Sequence, residues 1–551
     1  MAFGRAIKAL IAAWLVHALF AQAPATPARA PAAPPRLVVI LVVDQMRADY
    51  IDRYQHQWTA GLKRIVDGGA LFTRAAYPYA GTMTCAGFAT ISTGTYPWAH
   101  GIPANEWYDH RANRLVPCFG DPGAAPVAFG GGTGREFSGP RNLRELTFAD
   151  ELRKQSKRKP RIISVALKPR SAIALAGKGS ASTIAVWEEN DGTWATSTAY
   201  TRMPWPTVDE FVKARPIAAS YGEIWTRALP ADRYLGPDDG AGEASAPPWG
   251  PTFPYPLVSE SGKPDGAFVT AWERSPWSDA YVADLGRTLA EKVGIGQTAG
   301  GTDLLALAFP STDTVGHQYG PLSHEIQDVL IRLDAHLGRL LDTLDKLVGP
   351  DHYVVALTAD HGVASLPEQL PASAQAGRLA GRALVNVVDQ TLSKAFGPGT
   401  YVAAQTTGNI YLKTGVADRI RARPGLVATL KTALLSTGAV GRAFWADELT
   451  GANATSDPVL DAWRLSYVAG RSGDIVIVPK RNWVPVGSGT THGSPYEYDQ
   501  RVPLVFYGAG VRPGRYASTA SPADMAPTLA ALVGIRMPRA QGWALTEAIA
   551  R

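Results

Sequence analysis

Six short apolar runs stand out along the chain: RLVVILVVD (36–44), RIISVAL (161–167), DLLALAF (303–309), HYVVALTAD (352–360), DIVIVP (474–479) and VPLVFYG (502–508). Each is rich in Val, Ile and Leu and does not alternate with polar residues, the pattern of a parallel strand covered on both faces. Two other stretches place apolar residues every three or four positions, as amphipathic helices do. SDAYVADLGRTLAEKVG starts on Ser278 as a cap and ends at Gly294. SHEIQDVLIRLDAHLGRLLDTLDKLVG puts Ile326, Leu330, Leu333, Leu337, Leu340, Leu341 and Leu344 on one face. The alternation of strand and helix predicts an α/β fold, a doubly wound and mostly parallel central sheet flanked by helices.

The alternation breaks in two places. Residues 172–275 are rich in Trp, Gly and Pro, and residues 366–470 carry a mixed segment. Both are expected as cap insertions over the carboxyl edge of the sheet, where ligand sites of α/β proteins form. The N-terminus breaks it differently. Arg5 and Lys8 precede ALIAAWLVHALFA and an Ala/Pro-rich stretch, which predicts a signal peptide over 1–23, a linker over 24–36 and a catalytic domain over 37–551. Ala21 and Ala23 are both candidate cleavage points. The apolar run is short for a membrane span, so a periplasmic or secreted protein is expected.

Composition adds little to that picture. With 46% apolar and 19% charged residues over 551 positions the chain reads as globular, and a net charge of +6 is mild for this length. The basic run from Arg153 to Arg161 has no groove-reading or stacking motif beside it, so no nucleic-acid partner is expected. The two cysteines, Cys85 and Cys118, could pair in an oxidising compartment or remain as separate packing residues.

The chemistry gathers at strand ends, where three Asp and three His are expected at loop positions after separate buried strands. Asp44 ends the first run in VVDQ. Asp313 and His317 follow the third in TDTVGH. Asp360 and His361 end the fourth in TADHG, and His492 sits in the loop GTTHGSP before the last run. Imidazole with carboxylate suits zinc, and two ions can share one phosphoryl group. The stretch YAGTMTCAGFATISTG (79–94) adds a hydroxyl-rich helix start, where free backbone N–H groups favour phosphate.

This order of motifs resembles the alkaline phosphatase superfamily from Leu37 to about Glu547, including SPADMAPTLAALVGI near the end. The resemblance implies that Asp313, His317 and His492 hold one Zn2+ and that Asp44, Asp360, His361 and a threonine hold the second. In the type I phosphodiesterase/nucleotide pyrophosphatase-like branch the nucleophile precedes a TG turn, an HGI and an Asn. That singles out Thr84, with Asn105 twenty-one residues on, and leaves Thr82 as a turn or cap residue and Thr90 and Thr93 as helix residues. The segment ALKPRSAIALAGKG further resembles the K-x-R signature of the PafA-type, phosphate-irrepressible alkaline phosphatases. Lys168, Arg170 and Asn105 are then expected to bind the oxygens of a small phosphate monoester, hydrolysed through a phosphothreonine. An extended backbone would aim both cations the same way. The alternative is a phosphodiesterase or nucleotide pyrophosphatase on the same fold. A monomer without a stable membrane partner is expected.

Overall fold

The Val/Ile/Leu runs become strands because helices cover them on both sides. The computed structural model describes residues 33–550 apart from 181, 245–248 and 452–454. The expected signal peptide at 1–23 lies outside the described residues, as does the expected linker up to 32. Ten strands form the central sheet: β1 (Leu37–Val43), β2 (Ala70–Ala75), β3 (Pro126–Ala128), β4 (Ile162–Ala166), β5 (Thr183–Glu188), β6 (Trp194–Ser197), β7 (Asp303–Phe309), β8 (Tyr353–Thr358), β9 (Leu504–Gly508) and β10 (Gly514–Ala520). Their order is β10-β2-β9-β8-β1-β7-β4-β5-β6-β3. The middle five, β8-β1-β7-β4-β5, run parallel.

Every residue of β1 is buried, and its side chains feed two cores in alternation. Leu37, Val39 and Leu41 join one with Leu333, Leu337 and Leu341. Val38, Ile40 and Val42 join the other with Phe88, Ile91 and Ile173. That two-sided burial explains the unbroken apolar run. The first core is covered by α3 (Pro276–Val293) and α5 (His324–Leu347), the second by α1 (Thr84–Thr93) and α2 (Pro169–Ala176). A further helix, α4 (Ser311–Tyr319), leaves the end of β7.

Three expectations need correction. The helix expected to start on Ser278 is capped by Ser275, with Pro276 in its first turn, because proline there gives up no hydrogen bond. The run at 502–508 forms β9, which pairs antiparallel with both neighbours. The run at 474–479 does not enter the central sheet. Ile475–Pro479 lies in a separate four-stranded antiparallel sheet with Val402–Thr406, Asn409–Leu412 and Val440–Trp445. That sheet and the helices Gly381–Phe396 and Leu426–Leu435 enclose their own core of Leu384, Val388, Ile410, Leu430 and Leu434, and together form a cap. The stretch 172–275 contributes β5 and β6 to the main sheet before turning into Trp-rich loops. There Trp225, Trp249, Phe253 and Tyr255 pack edge-to-face or tilted against one another, and Tyr255 packs on Tyr319 at the end of α4.

Candidate metal centre and phosphoryl site

Strands β8, β1 and β7 are neighbours, so whatever follows their carboxyl ends is brought together. Asp44 follows β1 and continues its pairing, its N–H donating to the Phe309 carbonyl at 2.9 Å. Asp360 and His361 follow β8. Asp313 and His317 come after β7, not in a loop as expected but on α4, one turn apart and therefore on one face. His492 arrives on the loop before β9.

The imidazoles share one arrangement. His317 Nδ1 lies 2.8 Å from the Thr490 carbonyl, His361 Nδ1 3.0 Å from that of Gly362, and His492 Nδ1 2.7 Å from that of Thr82. Each Nδ1–H thus donates to backbone, and each Nε2 is left as a lone-pair donor facing the carboxylates, as metal-ligating histidines are set. His361 Nε2 is 3.3 Å from Asp360 Oδ2 and 3.5 Å from Asp44 Oδ1. His317 Nε2 is 3.1 Å from Asp313 Oδ1, and His492 Nε2 is 4.0 Å from the same oxygen. The rings of His361 and His492 stack at 3.5 Å between centroids.

The electrostatics are those of a site built for cations. Burial holds His361 below the usual imidazole range, and burial with His361 and His317 nearby pushes His492 well below it. For His317 burial acts in the same direction, but the Asp313 carboxylate outweighs it and raises the ring. Burial and the adjacent Asp44 raise Asp360 well above the carboxylate range. Asp313 lies well below that range, because Lys168 and His317 overcome the cost of burial. Asp44 Oδ1 and Asp360 Oδ2 are buried and accept no hydrogen bond. They face His361 Nε2, so two carboxyl oxygens and an imidazole nitrogen converge, and the raised Asp360 reports the cost of bringing two carboxylates together without a cation. Such an arrangement fits a bound cation. Ligand atoms of Asp44, Asp360 and His361 lie within 4.8 Å of one another, and so do those of Asp313, His361 and His492. The expected partition put His317 with Asp313 and His492; in the structure His361 reaches both groups, and His317 joins through Asp313 Oδ1.

Thr84 is the first residue of α1, after Met83 in an extended conformation, and is 1% exposed. Its Oγ lies 3.3 Å from His361 Nε2, and Asn105 Nδ2 donates to it at 3.5 Å. Asn105 Oδ1 accepts the Cys85 N–H at 2.9 Å, so one carboxamide spans the first two residues of the helix. Cys85 and Cys118 form a disulfide that ties α1 to the strap after Asn105. The other threonines are occupied. Thr82 donates to the Ser494 carbonyl, Thr90 contacts Tyr79 and His100, and Thr93 donates to the Ala89 carbonyl.

The cations stand differently from the expected pair. Lys168 is extended, but Pro169 opens α2 and Arg170 is already helical. Lys168 Nζ sits between two carboxylates, 2.8 Å from Asp44 Oδ2 and 2.5 Å from Asp313 Oδ2. A primary ammonium near buried carboxylates takes them as partners, since leaving either unpaired is costly. Arg170 lines a cleft of about 1120 Å3 that also exposes Asn105 and His492. Sequence reasoning missed Gln45. Fully buried at a left-handed φ of 67°, it donates through its N–H to Asp360 Oδ1 (3.1 Å) and through Nε2 to Asp313 Oδ1 (2.7 Å). Its place in VVDQ was its only signal.

Residues 38–501 match the family described as type I phosphodiesterase / nucleotide pyrophosphatase. The chain is 30% identical to the alkaline phosphatase PafA of Elizabethkingia meningoseptica, over 94% of this chain and 95% of that protein. It is 29% identical to the alkaline phosphatase PhoV of Synechococcus elongatus, over 92% and 91%. The crystal structure of wild-type PafA superposes with a TM-score of 0.85 at 29% identity, covering 94% of this chain and 99% of that one.

Proposed function

The chain belongs to the type I phosphodiesterase / nucleotide pyrophosphatase family, and from that premise we propose that it is an alkaline phosphatase hydrolysing phosphate monoesters through Thr84. One observation carries the assignment of the nucleophile: the Thr84 hydroxyl opens a helix and lies 3.3 Å from His361 Nε2 at the edge of the carboxylate–imidazole cluster. Asp44, Asp360 and His361, with Thr84, would hold one zinc ion, and Asp313, His317 and His492 the other. Bound there, zinc supplies Lewis acidity that favours the deprotonated threonine and neutralises charge on the phosphoryl and leaving oxygens.

Thr84 Oγ attacks phosphorus in line, the bond to the ester oxygen breaks, and the alcohol leaves with a proton from solvent. Water then attacks the phosphothreonine, releasing inorganic phosphate and restoring the hydroxyl. Asn105 Nδ2, already on Thr84 Oγ, donates to a non-bridging oxygen, and the start of α1, whose Cys85 N–H is taken by Asn105 Oδ1, turns its positive end toward the same charge. Arg170 and Lys168 complement a dianion better than the monoanion of a diester. Export to the periplasm or beyond follows from the charged and apolar N-terminus and suits the Cys85–Cys118 disulfide.

A second reading, a diesterase on the same fold, is favoured by Lys168 being held by Asp44 and Asp313 rather than standing free. The two part on rates for an aryl phosphate and its methyl diester. Thr84→Ala is expected to lose about 10³-fold or more in turnover; undiminished hydrolysis removes Thr84 as nucleophile. The Lys168→Ala/Arg170→Ala double variant is expected to lose about 10²-fold or more on the monoester and little on the diester. A wild type that prefers the diester, with monoester turnover untouched in the double variant, establishes the second reading instead.

A further inference from the structure

The cleft that opens beside Met83 and Asn105, next to the buried Thr84, is larger than a phosphoryl group needs. Its volume of about 1120 Å3 exceeds the roughly 300–1,000 Å3 of most small-molecule sites. Its polar floor, with Asn105, Arg170 and His492, is the phosphoryl site itself. The walls are of another character. Val116 and Phe137 come from the strap that Cys118 anchors to α1, and Leu384, Ile477 and Trp483 come from the cap and the segment leaving it. Phe137 is 51% exposed, a ring that stabilises little while it faces water. The Trp483 indole is fixed by its Nε1 donating to the Gln375 carbonyl at 2.8 Å, so its face is presented in one orientation. Three carboxylates on the strap side, Glu106, Asp121 and Glu136, face the cleft against the guanidinium of Arg114, with Arg170 on the floor near Glu136.

We propose that this cleft is a leaving-group subsite that selects phosphate monoesters whose alcohol carries an uncharged aromatic ring, with Phe137 and Trp483 as its specificity-determining residues. The inference rests on the monoesterase reading above. A ring entering the cleft covers apolar surface on both walls and stacks on side chains that no longer need to be ordered. An anionic alcohol meets the three carboxylates and is disfavoured. The cleft is continuous with the phosphoryl floor, so a substrate anchored on Asn105 and Arg170 directs its ester substituent between the walls.

The test compares 2-phenylethyl phosphate with ethyl phosphate. Both are primary alkyl esters, so the bond broken is the same and only the ring differs. The wild type is expected to favour the ring-bearing ester at least about tenfold in kcat/KM, and Phe137→Ser and Trp483→Ser to bring that ratio to within about twofold of unity. Trp98→Ser, which removes a ring 49% exposed and outside the cleft, should keep the wild-type ratio. Thermal melts show that each variant is folded, and competition by 2-phenylethylphosphonate against ethylphosphonate reads the same preference without turnover. Equal kcat/KM for the two esters in the wild type, or a ratio that survives both wall variants, overturns the subsite and leaves the monoesterase reading standing. A metal-loaded wild type that turns over neither ester overturns the monoesterase reading instead.

Discussion

At the carboxyl ends of β8, β1 and β7, three carboxylates, three imidazoles and an ammonium are packed within a few ångströms of one another, all buried or nearly so except His317, whose side chain is 36% exposed. The cap beside them encloses a core of apolar side chains, Leu384, Val388, Leu430 and their neighbours, and wears charged pairs such as Lys431–Glu448 on the outside. The sheet edge therefore depends on charge balance supplied partly by ligands, while the cap depends on hydrophobic burial that it completes itself. The difference explains how one chain keeps a charged reaction centre and an apolar wall side by side: each rests on elements that do not share the other's source of stability.

Removing divalent cations should separate the two most widely. Dialysis against a chelator is expected to bring hydrolysis down to background and to cost the folded state about 4 kcal/mol per site, or roughly 8 kcal/mol for two, for ions present at roughly a thousand times their dissociation constant. Hydrogen exchange should then quicken around Asp44, Asp313 and Asp360 and stay slow in Leu426–Leu435. Equal loss of protection in both regions breaks the contrast. A cut in the other direction is Leu430→Ala, which opens a cavity in the cap core. It should cost about 2–5 kcal/mol in denaturant unfolding while leaving the metal content measured by mass spectrometry unchanged. A variant that loses its ions shows that the cap supports the centre after all.

The smallest expected effect belongs to His100, which underlies α1. Burial, with Arg471 and Arg144 nearby, lowers it to about 3, so it stays neutral and pairs with Thr90 Oγ at 3.2 Å. The unfolded chain takes up that proton near pH 6.5. Stability from this group is full above pH 6.5 and is lost as pH falls toward 3, by about 1 kcal/mol between 6.5 and 5.5. His100→Gln should flatten that slope in thermal melts. A slope unchanged by the substitution places the acid sensitivity elsewhere.

Much of the sheet edge was legible because its grammar is local. A buried run followed at once by Asp or His names both a strand and what stands at its end, as at Asp44 and at Asp360–His361. The cap strand Ile475–Pro479 was misplaced because a Val/Ile run looks the same in either sheet; only its partners, Asn409–Leu412 and Val440–Trp445, distinguish them. Asp313 and His317 fell on a helix since their spacing of four suits a helical turn as well as a loop. The position of Lys168 between Asp44 and Asp313 had no local sign at all. It depends on β1, β4 and β7 lying side by side, which is a property of strand order. Gln45 went unread for a related reason: its left-handed turn is imposed by the two carboxylates it must reach.

Gly87 lies three residues beyond Thr84, and a methyl group there would stand 2.2 Å from the Asp360 carbonyl oxygen. The helix and the end of β8 are thus laid backbone against backbone. The reach of the Thr84 hydroxyl is calibrated by a missing carbon atom, like a shim taken out of a mechanical gauge. A residue that never meets substrate sets the working tolerance of the instrument, and any bulkier replacement would widen the gap at the reacting oxygen by moving the whole helix.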